Sequence, residues 1–405
     1  MHGRHRCIFT RCRPSGRRPT PTDRALFGAQ GFPLSQYNIA WLPGDGVGIE
    51  VMEATRICLD ALHFDAQYSH GDIGWEFWRT EGESFPQRTI DLLKASDAAM
   101  FGAITSKPAK DAEAELVPAL KGKGLAYRSP IVRMRQMFDL FTCLRPCKAY
   151  PGNPLNYKED IDLVIFRENT EGLYAGVEFS PVPDELAATL GKLSKPFAHF
   201  AGIPGDQFAI TCKINTQKGC ERIIRAAFEY AQEHGYPKVT VIHKANVVRA
   251  TEGMFLETGK RVAREYPDIA MDDANVDAIT MWLLKNPKSY SVLVATNLFG
   301  DIISDLAAQM VGGLGFACSA NIGEKLGVFE PSHGSAPKYA GQYKVNPIAT
   351  ILSAKMMLAW LGETEKAARL EGATAAVIRE GQVRTYDMGG SATTLEMAEA
   401  IARKL

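Results

Sequence analysis

Two acidic residues four positions apart stand in an otherwise apolar segment. The segment NLFGDIISDLAAQMVGGLG spans residues 297–315 and carries Asp301 and Asp305. On a helix these residues share one face, where two carboxylates repel each other unless a cation lies between them. Oxygen ligands favour Mg²⁺ or Mn²⁺ over Zn²⁺. The alternative is one acid that stabilises a helix start beside one solvated acid, but the apolar neighbours favour a metal site.

Several arginines occur between residues 128 and 167. Arg135 lies in a predicted helix, Arg145 follows in the sequence LRP, and Arg167 ends the apolar run DLVIFREN. An arginine at the carboxyl end of a buried parallel strand borders the crevice in which α/β proteins bind ligands. Guanidinium groups bind carboxylates bidentately, so converging arginines favour a polycarboxylate ligand. Solvated surface arginine is the alternative, and it fits the two remaining arginines of the segment better than Arg167.

Two segments rich in small residues have the composition of ligand-binding loops. GDGVG at residues 44–48 lacks the spacing of the dinucleotide and P-loop fingerprints, so by itself it predicts only a turn. VFEPSHGSAPKYAGQYKVNP at residues 328–347 contains His333, Lys338 and Tyr339, followed by a second lysine. Backbone N–H groups of such a loop can approach a phosphate, and lysine adds positive charge. An ordinary long loop is the alternative.

The elements that position these residues follow an α/β pattern. Short apolar runs predict buried parallel strands, and segments with helical apolar spacing alternate with them. The predicted strands lie within residues 37–48 and at 98–103, 161–166, 239–242 and 291–295. The predicted helices cover residues 50–62, 220–234 and 252–266. This alternation predicts an α/β fold.

Residues 179–208 depart from this alternation. The segment is interrupted by Pro181, Pro183, Pro196 and Pro204, with aromatic residues between them. A loop of this length in a compact domain usually has a function. We therefore expect an irregular arm that packs on a partner, with a surface loop as the alternative.

Composition limits the classes of protein to which the chain can belong. It has 405 residues, of which 46% are hydrophobic and 23% charged, and its formal net charge is zero. These values are typical of a globular protein of two or three domains and give no support to nucleic-acid or membrane binding. No apolar run reaches the roughly 18 residues of a membrane span. The eight cysteines are scattered and are predicted to be reduced thiols.

The N-terminal segment differs from the rest of the chain. Residues 1–24 carry seven arginines and one acidic residue, Asp23. The segment has no apolar core, which argues against a secretory signal peptide. We expect residues 1–36 to be a disordered or transit-like tail, or the result of a start site placed too early. We expect a cytoplasmic location, with the mitochondrial matrix as the alternative if the tail is a transit peptide.

The motifs GDGVG, LRP, RENTEGLYAG, HKANV, NLFGDIISDLAA, GGLG and EPSHGSAP together resemble those of the β-decarboxylating dehydrogenases, the isocitrate/isopropylmalate dehydrogenase family. The resemblance runs from about Asn38 to the C-terminus and is greatest toward isocitrate dehydrogenases. It implies an isopropylmalate-dehydrogenase-like fold with non-Rossmann nucleotide binding. It also implies oxidative decarboxylation of isocitrate to 2-oxoglutarate and carbon dioxide. The alternatives are homoisocitrate or 3-isopropylmalate as substrate, or a non-catalytic regulatory subunit of a hetero-oligomeric dehydrogenase.

The resemblance assigns roles to individual residues. Tyr174 would protonate the enol and Lys244 would serve as base or proton relay. The implied substrate-binding residues are Ser129, Arg135, Arg145 and Arg167. The implied ligands of Mg²⁺ or Mn²⁺ are Asp277, Asp301 and Asp305. The implied nucleotide-binding residues are Thr105, Asn246, His333, Gly334, Ala336, Lys338, Tyr339, Asn346 and Tyr386.

The family's assembly implies a homodimer. Lys244 and Asp277 would come from the partner subunit, so that one active site spans two chains. Residues 37–140 and 312–405 would form a large domain with the nucleotide loop. Residues 141–311 would form a small domain with the substrate, metal and dimer regions, and residues 172–216 would be the dimer clasp.

Substrate and nucleotide depend on a few positions. Ser129 is followed by Ile131 where phosphate-sensitive isocitrate enzymes have Asn, and an apolar side chain cannot donate to a third carboxylate. Lys338 and Tyr339 match NADP enzymes, because a cation suits a 2′-phosphate where NAD enzymes have a carboxylate. The segment from Tyr386 to Gly390 keeps the tyrosine of the NADP enzymes but lacks their later arginine, the second anchor of the phosphate. The charge argument therefore favours NADP, with NAD as the alternative.

Overall fold

The computed structural model describes residues 35–200 and 202–405, so most of the predicted N-terminal tail lies outside the described residues. The strands are β1 (Tyr37–Gly44), β2 (Ala66–His70), β3 (Ala98–Ala103), β4 (Thr142–Lys148), β5 (Asp162–Glu168), β6 (Glu178–Phe179), β7 (Ile210–Thr211), β8 (Lys238–His243), β9 (Ala270–Asn275), β10 (Val292–Ala295), β11 (Cys318–Ile322) and β12 (Gly327–Pro331). Each strand predicted from the sequence coincides with one of these, which confirms the α/β assignment.

Ten of these strands form one sheet in the order β2-β1-β3-β12-β11-β4-β5-β10-β8-β9. β11 runs antiparallel to both β12 and β4, and β4 runs antiparallel to β5. The remaining neighbours are parallel. Strands from residues 37–140 and 312–405 therefore occupy one half of the sheet, and strands from residues 141–311 occupy the other half.

Helices follow the strands in alternation. They are α1 (Val47–Ala61), α2 (Trp75–Glu81), α3 (Gln87–Ala95), α4 (Ala109–Ala114), α5 (Pro130–Met137), α6 (Asp184–Leu193), α7 (Gln217–His234), α8 (Arg249–Ala263), α9 (Val276–Lys285), α10 (Asn297–Gln309), α11 (Ile348–Trp360), α12 (Thr364–Glu380) and α13 (Thr394–Ala402). α1, α7 and α8 match the three predicted helices to within a few residues. Within the described part of the chain, no helix is long and apolar enough to cross a membrane.

The alternation of side chains along β5 decides which face of the sheet holds the candidate site. Val164 and Phe166 pack into the core beneath α7 and α8. Leu163 and Ile165 point to the other face, into the core formed with α9 and α10. Because side chains alternate along a strand, Arg167 shares the face of Leu163 and Ile165 and lies next to α10.

The segment predicted to be irregular contains a helix. β6 and β7 pair antiparallel, and α6 and short 3₁₀ turns lie between them. α6 follows Pro183, and a proline just before a helix is compatible with its start because the first N–H groups need no intrahelical partner. Its sequence DELAATLGKL is rich in helix-forming alanine and leucine. Leu193, at its end, is 80% exposed.

Candidate active site

Arg167 is a deeply buried charged group near the carboxyl end of β5. Its side chain is 1% exposed. The guanidinium donates from Nε and Nη2 to Asn297 Oδ1 at 3.0 and 2.8 Å, and Nη1 contacts Asp301. Gly300 makes this approach possible, because a Cβ atom there would lie 2.7 Å from Arg167 Cβ. The glycine of NLFGD is thus required by the contact between α10 and β5.

Hydrogen bonds and ion pairs connect a group of side chains that we call the Asp301 cluster: Asp301, Arg145, Arg167, Tyr174 and Asn297. Tyr174 donates to Asp301 Oδ2 at 2.7 Å, and Arg145 Nη1 lies 3.3 Å from Oδ1. Burial raises the pKa of Asp301, but the two arginines and the tyrosine hydrogen bond outweigh it, so its pKa lies below the ordinary value. The carboxylate is therefore ionised near neutral pH.

A guanidinium lies between the two aspartates of α10. Arg145 Nη1 lies 3.2 Å from Asp305 Oδ1 and donates to Ser304 Oγ at 2.7 Å, in addition to its contact with Asp301. The predicted shared face of Asp301 and Asp305 is thus present in the structure. The positive charge that the sequence analysis required between them is supplied by an arginine, which the spacing alone did not indicate.

Tyr174 stands in a 3₁₀ turn, Leu173–Ala175, beside Arg167. The guanidinium carbon of Arg167 lies 5.0 Å from the centre of its ring. Burial first, and then the Asp301 carboxylate, raise the pKa of the phenol above its ordinary value. The hydroxyl consequently keeps its proton at neutral pH and has the protonation state of an acid.

Arg135 approaches the same region from the last turn of α5. It pairs with Glu330 at 3.0 Å, and Glu330 also accepts from Asn321 Nδ2 at 2.7 Å. The Nε groups of Arg135 and Arg145 are both buried without a hydrogen-bond partner. Orphaned guanidinium donors of this kind are costly unless a ligand accepts from them, and carboxylate oxygens do so well. Ser129 immediately precedes α5, and its side chain makes no capping bond.

Lys244 and Asp277 form a separate pair. Lys244 Nζ lies 2.5 Å from Asp277 Oδ1, and the hydrogen bond from the lysine holds the pKa of Asp277 below its ordinary range. The Asp277 side chain is 66% exposed. Across residues 35–200 and 202–405, no three His, Cys, Asp or Glu side chains are grouped to hold a metal ion. One chain therefore does not bring Asp277 to Asp301 and Asp305.

The predicted nucleotide residues surround a cavity of about 590 Å³. Its lining includes His333, Gly334, Ala336, Tyr339, Asn346 and Tyr386. Thr105, Asn246 and Lys338 are not part of that lining, although Thr105 Oγ1 bonds Ser335 Oγ at 2.6 Å at its edge. The lining residues that the sequence analysis missed are Val47, Leu155, Gln309, Gly312, Gly313, Leu314, Gly315, Val345 and Asp387.

Close backbone packing shapes one wall of this cavity. Gly46, in the GDGVG turn, has φ +55°, and a Cβ atom there would lie 2.2 Å from the Ser335 carbonyl oxygen. Val47 N–H donates to that same oxygen at 2.9 Å. The Nε2 atom of His333 is buried without a partner. The cavity thus offers an unpaired imidazole nitrogen. The loop that carries it packs so closely on the GDGVG turn that position 46 has no room for a side chain.

Two lysines flank a pair of tyrosines at the mouth of the cavity. The rings of Tyr339 and Tyr386 lie 5.6 Å apart. Lys338 Nζ is 4.7 Å from the Tyr339 ring centre, and Lys344 Nζ is 5.0 Å from that of Tyr386. Lys344 therefore brings a second cation to the mouth of the cavity. The sequence had suggested only Lys338 as a phosphate anchor, because the arginine expected near Gly390 is absent.

Comparison with known proteins places this geometry among enzymes. The family model described as isocitrate/isopropylmalate dehydrogenase matches residues 38–401. The 3-isopropylmalate dehydrogenase of Methanothermobacter thermautotrophicus is 41% identical over 92% of this chain and 99% of its own. The isocitrate/homoisocitrate dehydrogenase of Thermus thermophilus is 39% identical over 91% and 98%.

A longer relative and a solved structure agree with these matches. Protein DlpA of Legionella pneumophila is 41% identical over 90% of this chain, which spans 58% of DlpA's length. The crystal structure of isocitrate dehydrogenase from Methylococcus capsulatus superposes with a TM-score of 0.79 at 37% identity. That match covers 91% of this chain and 99% of the other.

Proposed function

The chain belongs to the isocitrate/isopropylmalate dehydrogenase family of NAD(P)-dependent decarboxylating dehydrogenases, and we propose that its substrate is isocitrate, oxidised to 2-oxoglutarate and carbon dioxide. The observation that carries this proposal is the convergence of Arg135, Arg145 and Arg167 beside Tyr174. Two of these arginines keep a buried unpaired Nε–H. Three guanidinium groups in one pocket fit a substrate with several carboxylates.

Proton transfer in the proposed reaction uses two residues. Tyr174 holds its proton at neutral pH and would deliver it to the enol carbon after carbon dioxide leaves. Lys244 would take the proton of the substrate hydroxyl, directly or as a relay. Because Lys244 pairs with Asp277 in an exposed position of its own chain, we propose that both act in the site of a partner subunit. A homodimer follows, with the arm of residues 172–216 as its clasp.

The donor set fits a divalent cation. Asp301 and Asp305 share one face of α10, and Asp305 is 61% exposed. With Asp277 of the partner they would hold Mg²⁺ or Mn²⁺, which prefer carboxylate oxygens. A cation held there would supply Lewis-acid stabilisation of negative charge on the substrate. Arg145 and Tyr174 already fix the carboxylate of Asp301, and so position it for this role.

The cavity beside residues 333–346 fits a nucleotide. The unpaired His333 Nε2 is the donor or acceptor that a bound ligand would satisfy. A nicotinamide bound there would supply the hydride acceptor, and the protein would position it. Lys338 and Lys344 at the mouth favour NADP over NAD, because each offers an ammonium to a 2′-phosphate. Thr105, Asn246, Asn346 and Tyr386 complete the proposed set.

A second substrate class has one specific observation in its favour. Ile131 is partly buried and packs against the core that includes Met134. It offers no donor for a third carboxylate at that position, which favours 3-isopropylmalate, whose corresponding group is apolar, or homoisocitrate, whose third carboxylate lies one methylene farther away. A non-catalytic regulatory subunit is less consistent with the chain, since Tyr174, Lys244 and all three proposed metal ligands are intact. The two halves of the sheet support our proposed division into large and small domains.

Steady-state kinetics test the proposal directly. The purified enzyme with Mg²⁺ is assayed with isocitrate, homoisocitrate and 3-isopropylmalate, each with NADP and NAD. The highest kcat/KM with isocitrate and NADP supports the proposal. A higher value with another acid reassigns the substrate, and absence of turnover with all three rejects the dehydrogenase activity.

A further inference from the structure

A buried ion pair connects the arm of residues 172–216 with the segments that carry the proposed catalytic groups. Glu252, on α8, has a fully buried side chain, and Lys213, two residues after β7, is 15% exposed. Lys213 Nζ contacts Glu252 Oε1, lies 3.4 Å from Thr296 Oγ1 and sits 4.4 Å from the Phe299 ring centre. The proposed chemistry does not use this pair. Desolvation largely offsets the attraction within a buried pair, so stability alone is a poor reason for its presence.

The two oxygens of Glu252 contact different parts of the proposed machinery. Oε1 accepts from Thr296 Oγ1 at 3.0 Å, and Oε2 accepts from the Lys244 backbone N–H at 3.3 Å. Thr296 immediately precedes α10, yet its side chain makes no capping bond to that helix, because it is committed to Glu252. The next residue, Asn297, holds Arg167. One carboxylate therefore fixes both the start of α10 and the backbone of Lys244.

The Lys244 turn is also held by its own backbone, since the Lys244 carbonyl oxygen accepts from the N–H groups of Val247 and Val248 at 3.0 and 2.8 Å. His243 Nδ1 accepts from Ala245 N–H at 3.0 Å, so its Nε2 is the donor toward Asp273 at 2.9 Å. These contacts orient the residue before Lys244 and the residue after it. The backbone N–H of Lys244 itself donates to Glu252. Loss of that acceptor would leave the Lys244 N–H unpaired and shift the residue whose ammonium must reach a substrate, because only its carbonyl would still be held.

We propose that Glu252, with its charge balanced by Lys213, is a positioning residue that serves both active sites of the dimer. This rests on the proposed shared site, in which Lys244 acts in the partner's site while α10 carries Asp301 of its own. Through Oε2, Glu252 holds the backbone of Lys244, which would act in the partner's site. Through Oε1 it holds Thr296 at the start of α10, which carries Asp301 of the chain's own site. Lys213 extends this link to the arm.

The first test separates positioning from stability. The double variant Lys213→Met with Glu252→Met replaces the pair with apolar groups of similar length, an exchange that buried pairs often tolerate. We expect a Tm that is at most modestly lower, because Thr296 and the Lys244 N–H lose their acceptor. We also expect a kcat about 10–100-fold lower and a substrate KM within about threefold, since misplacement by about 1 Å can cost a hundredfold in rate. Lys213→Arg, which keeps the charge, should retain most of kcat. Lys355→Met, which breaks a remote pair with Glu371, is the control.

Wild-type kcat in the double variant would overturn the inference, and so would a loss of activity that Lys213→Arg reproduces in full. Hydrogen–deuterium exchange adds a readout that does not depend on turnover. The double variant should exchange faster at residues 244–248 and 296–300, and Lys355→Met should not. Unchanged exchange in both segments would also overturn it. Absence of turnover in the wild type with all three acids would reject the proposed function instead.

Subunit exchange tests the two-site role. Mixing Tyr174→Phe with Lys244→Met should restore one complete site per mixed dimer and serves as the reference. Mixing the double variant with Tyr174→Phe leaves one site whose only damage is at α10, and mixing it with Lys244→Met leaves one whose only damage is at the partner's lysine. We expect neither mixture to recover the reference activity.

The outcomes of subunit exchange are distinct. Recovery to the reference level in either test mixture would show that Glu252 serves one site only, and would reject the inference alone. A reference mixture without recovery after verified exchange would reject the shared site, and with it the two-site role. Recovery in the reference mixture only supports both.

Discussion

The substrate end and the nucleotide end of the proposed site are built differently. In the Asp301 cluster one carboxylate is held by Arg145, Arg167 and Tyr174, and Arg167 is almost fully buried. At the cavity mouth, Lys338 and Lys344 contact tyrosine rings in more open surroundings. A buried group that loses its partner cannot replace it with water, whereas an exposed group can. Substitutions should therefore disable the first region and only bias the second.

The largest expected effect is that of Asp301→Asn. Removal of the charge leaves Arg167 buried without its ionic partner, and breaking a buried pair in this way costs about 3–5 kcal/mol. It also removes a proposed metal ligand, so we expect turnover to fall below detection. Urea denaturation and metal-dependent kinetics measure the two effects.

Asp305→Asn is the matched control, because Asp305 is largely exposed. It should lose metal-dependent turnover while keeping nearly the wild-type free energy of unfolding. Wild-type Mg²⁺ dependence and rate in either variant would show that the residue is not a metal ligand. An equal loss of unfolding free energy in Asp301→Asn and Asp305→Asn would contradict the expected difference between a buried and an exposed acid.

A smaller effect is expected from Gly300→Ala. The added Cβ atom would lie 2.7 Å from Arg167 Cβ and 2.8 Å from its Cγ, so α10 must move away from β5. Overpacking of this kind costs about 1–3 kcal/mol. Gly372→Ala, on α12, meets no atom within 4 Å and should stabilise by up to about 1 kcal/mol. Thermal denaturation of both variants measures the contrast, and equal Tm values would contradict it.

At the cavity mouth we expect a shift of preference. Lys338→Asp with Tyr339→Ile should lose NADP use by about tenfold or more, since one charge-assisted contact is worth about 1.5–3 kcal/mol and 1.4 kcal/mol is tenfold. Adding Lys344→Ile should lower NADP use further, because it removes the remaining cation. NAD use should change much less. Kinetics with both nucleotides decide; a wild type that prefers NAD, with NADP use unchanged in the variants, would assign this chain to NAD.

The smallest effect is expected at Glu371, which forms an ion cluster with Lys148 and Lys355 away from both regions. Burial raises its pKa, but Lys355 and Lys148 outweigh this and lower the pKa to about 2. A depressed pKa contributes stability above the unfolded value near 4.3 that is lost as pH falls toward about 2. Both lysines are partly exposed, so the contribution should be on the order of 1 kcal/mol. Glu371→Gln should flatten the stability profile between pH 4 and 2 in urea titrations; an unchanged slope would contradict this.

The sequence predicted five of the twelve strands that the structure describes, β1, β3, β5, β8 and β10, and the shared face of Asp301 and Asp305, because these depend on local periodicity. It did not predict α6, since the prolines around that segment outweighed its helix-forming residues in the interpretation. The partners of Arg167 and Arg135 were also missed. Asn297 and Glu330 are 130 and 195 residues away from them along the chain, and only the folded sheet brings them together.

Distance along the chain also explains the residues missed around Glu252 and the cavity. Lys213, Glu252 and Thr296 carry no motif that the analysis could single out, and each is ordinary in its local context. The additional cavity residues come from the GGLG turn, from the first residue of α1 and the last of α10, and from loop positions far apart in the sequence. The roles of Tyr174, Lys244 and Asp277 came from the family resemblance, and the metal site at Asp301 and Asp305 came first from their spacing. All of these roles stay predictions until kinetics and metal binding are measured.

The pairing of arginines with acids in the site has an electrical consequence. Arg135, Arg145 and Arg167 are matched within the same chain by Glu330, Asp301 and Asp305, so the pocket is close to electroneutral before a substrate enters. This balance holds without the proposed divalent cation, whose charge would supply the attraction for an anionic substrate. A carboxylate that binds the guanidinium groups would compete with the internal carboxylates already paired with them. Selectivity then depends on how well an incoming acid reproduces contacts that the empty pocket already makes with itself.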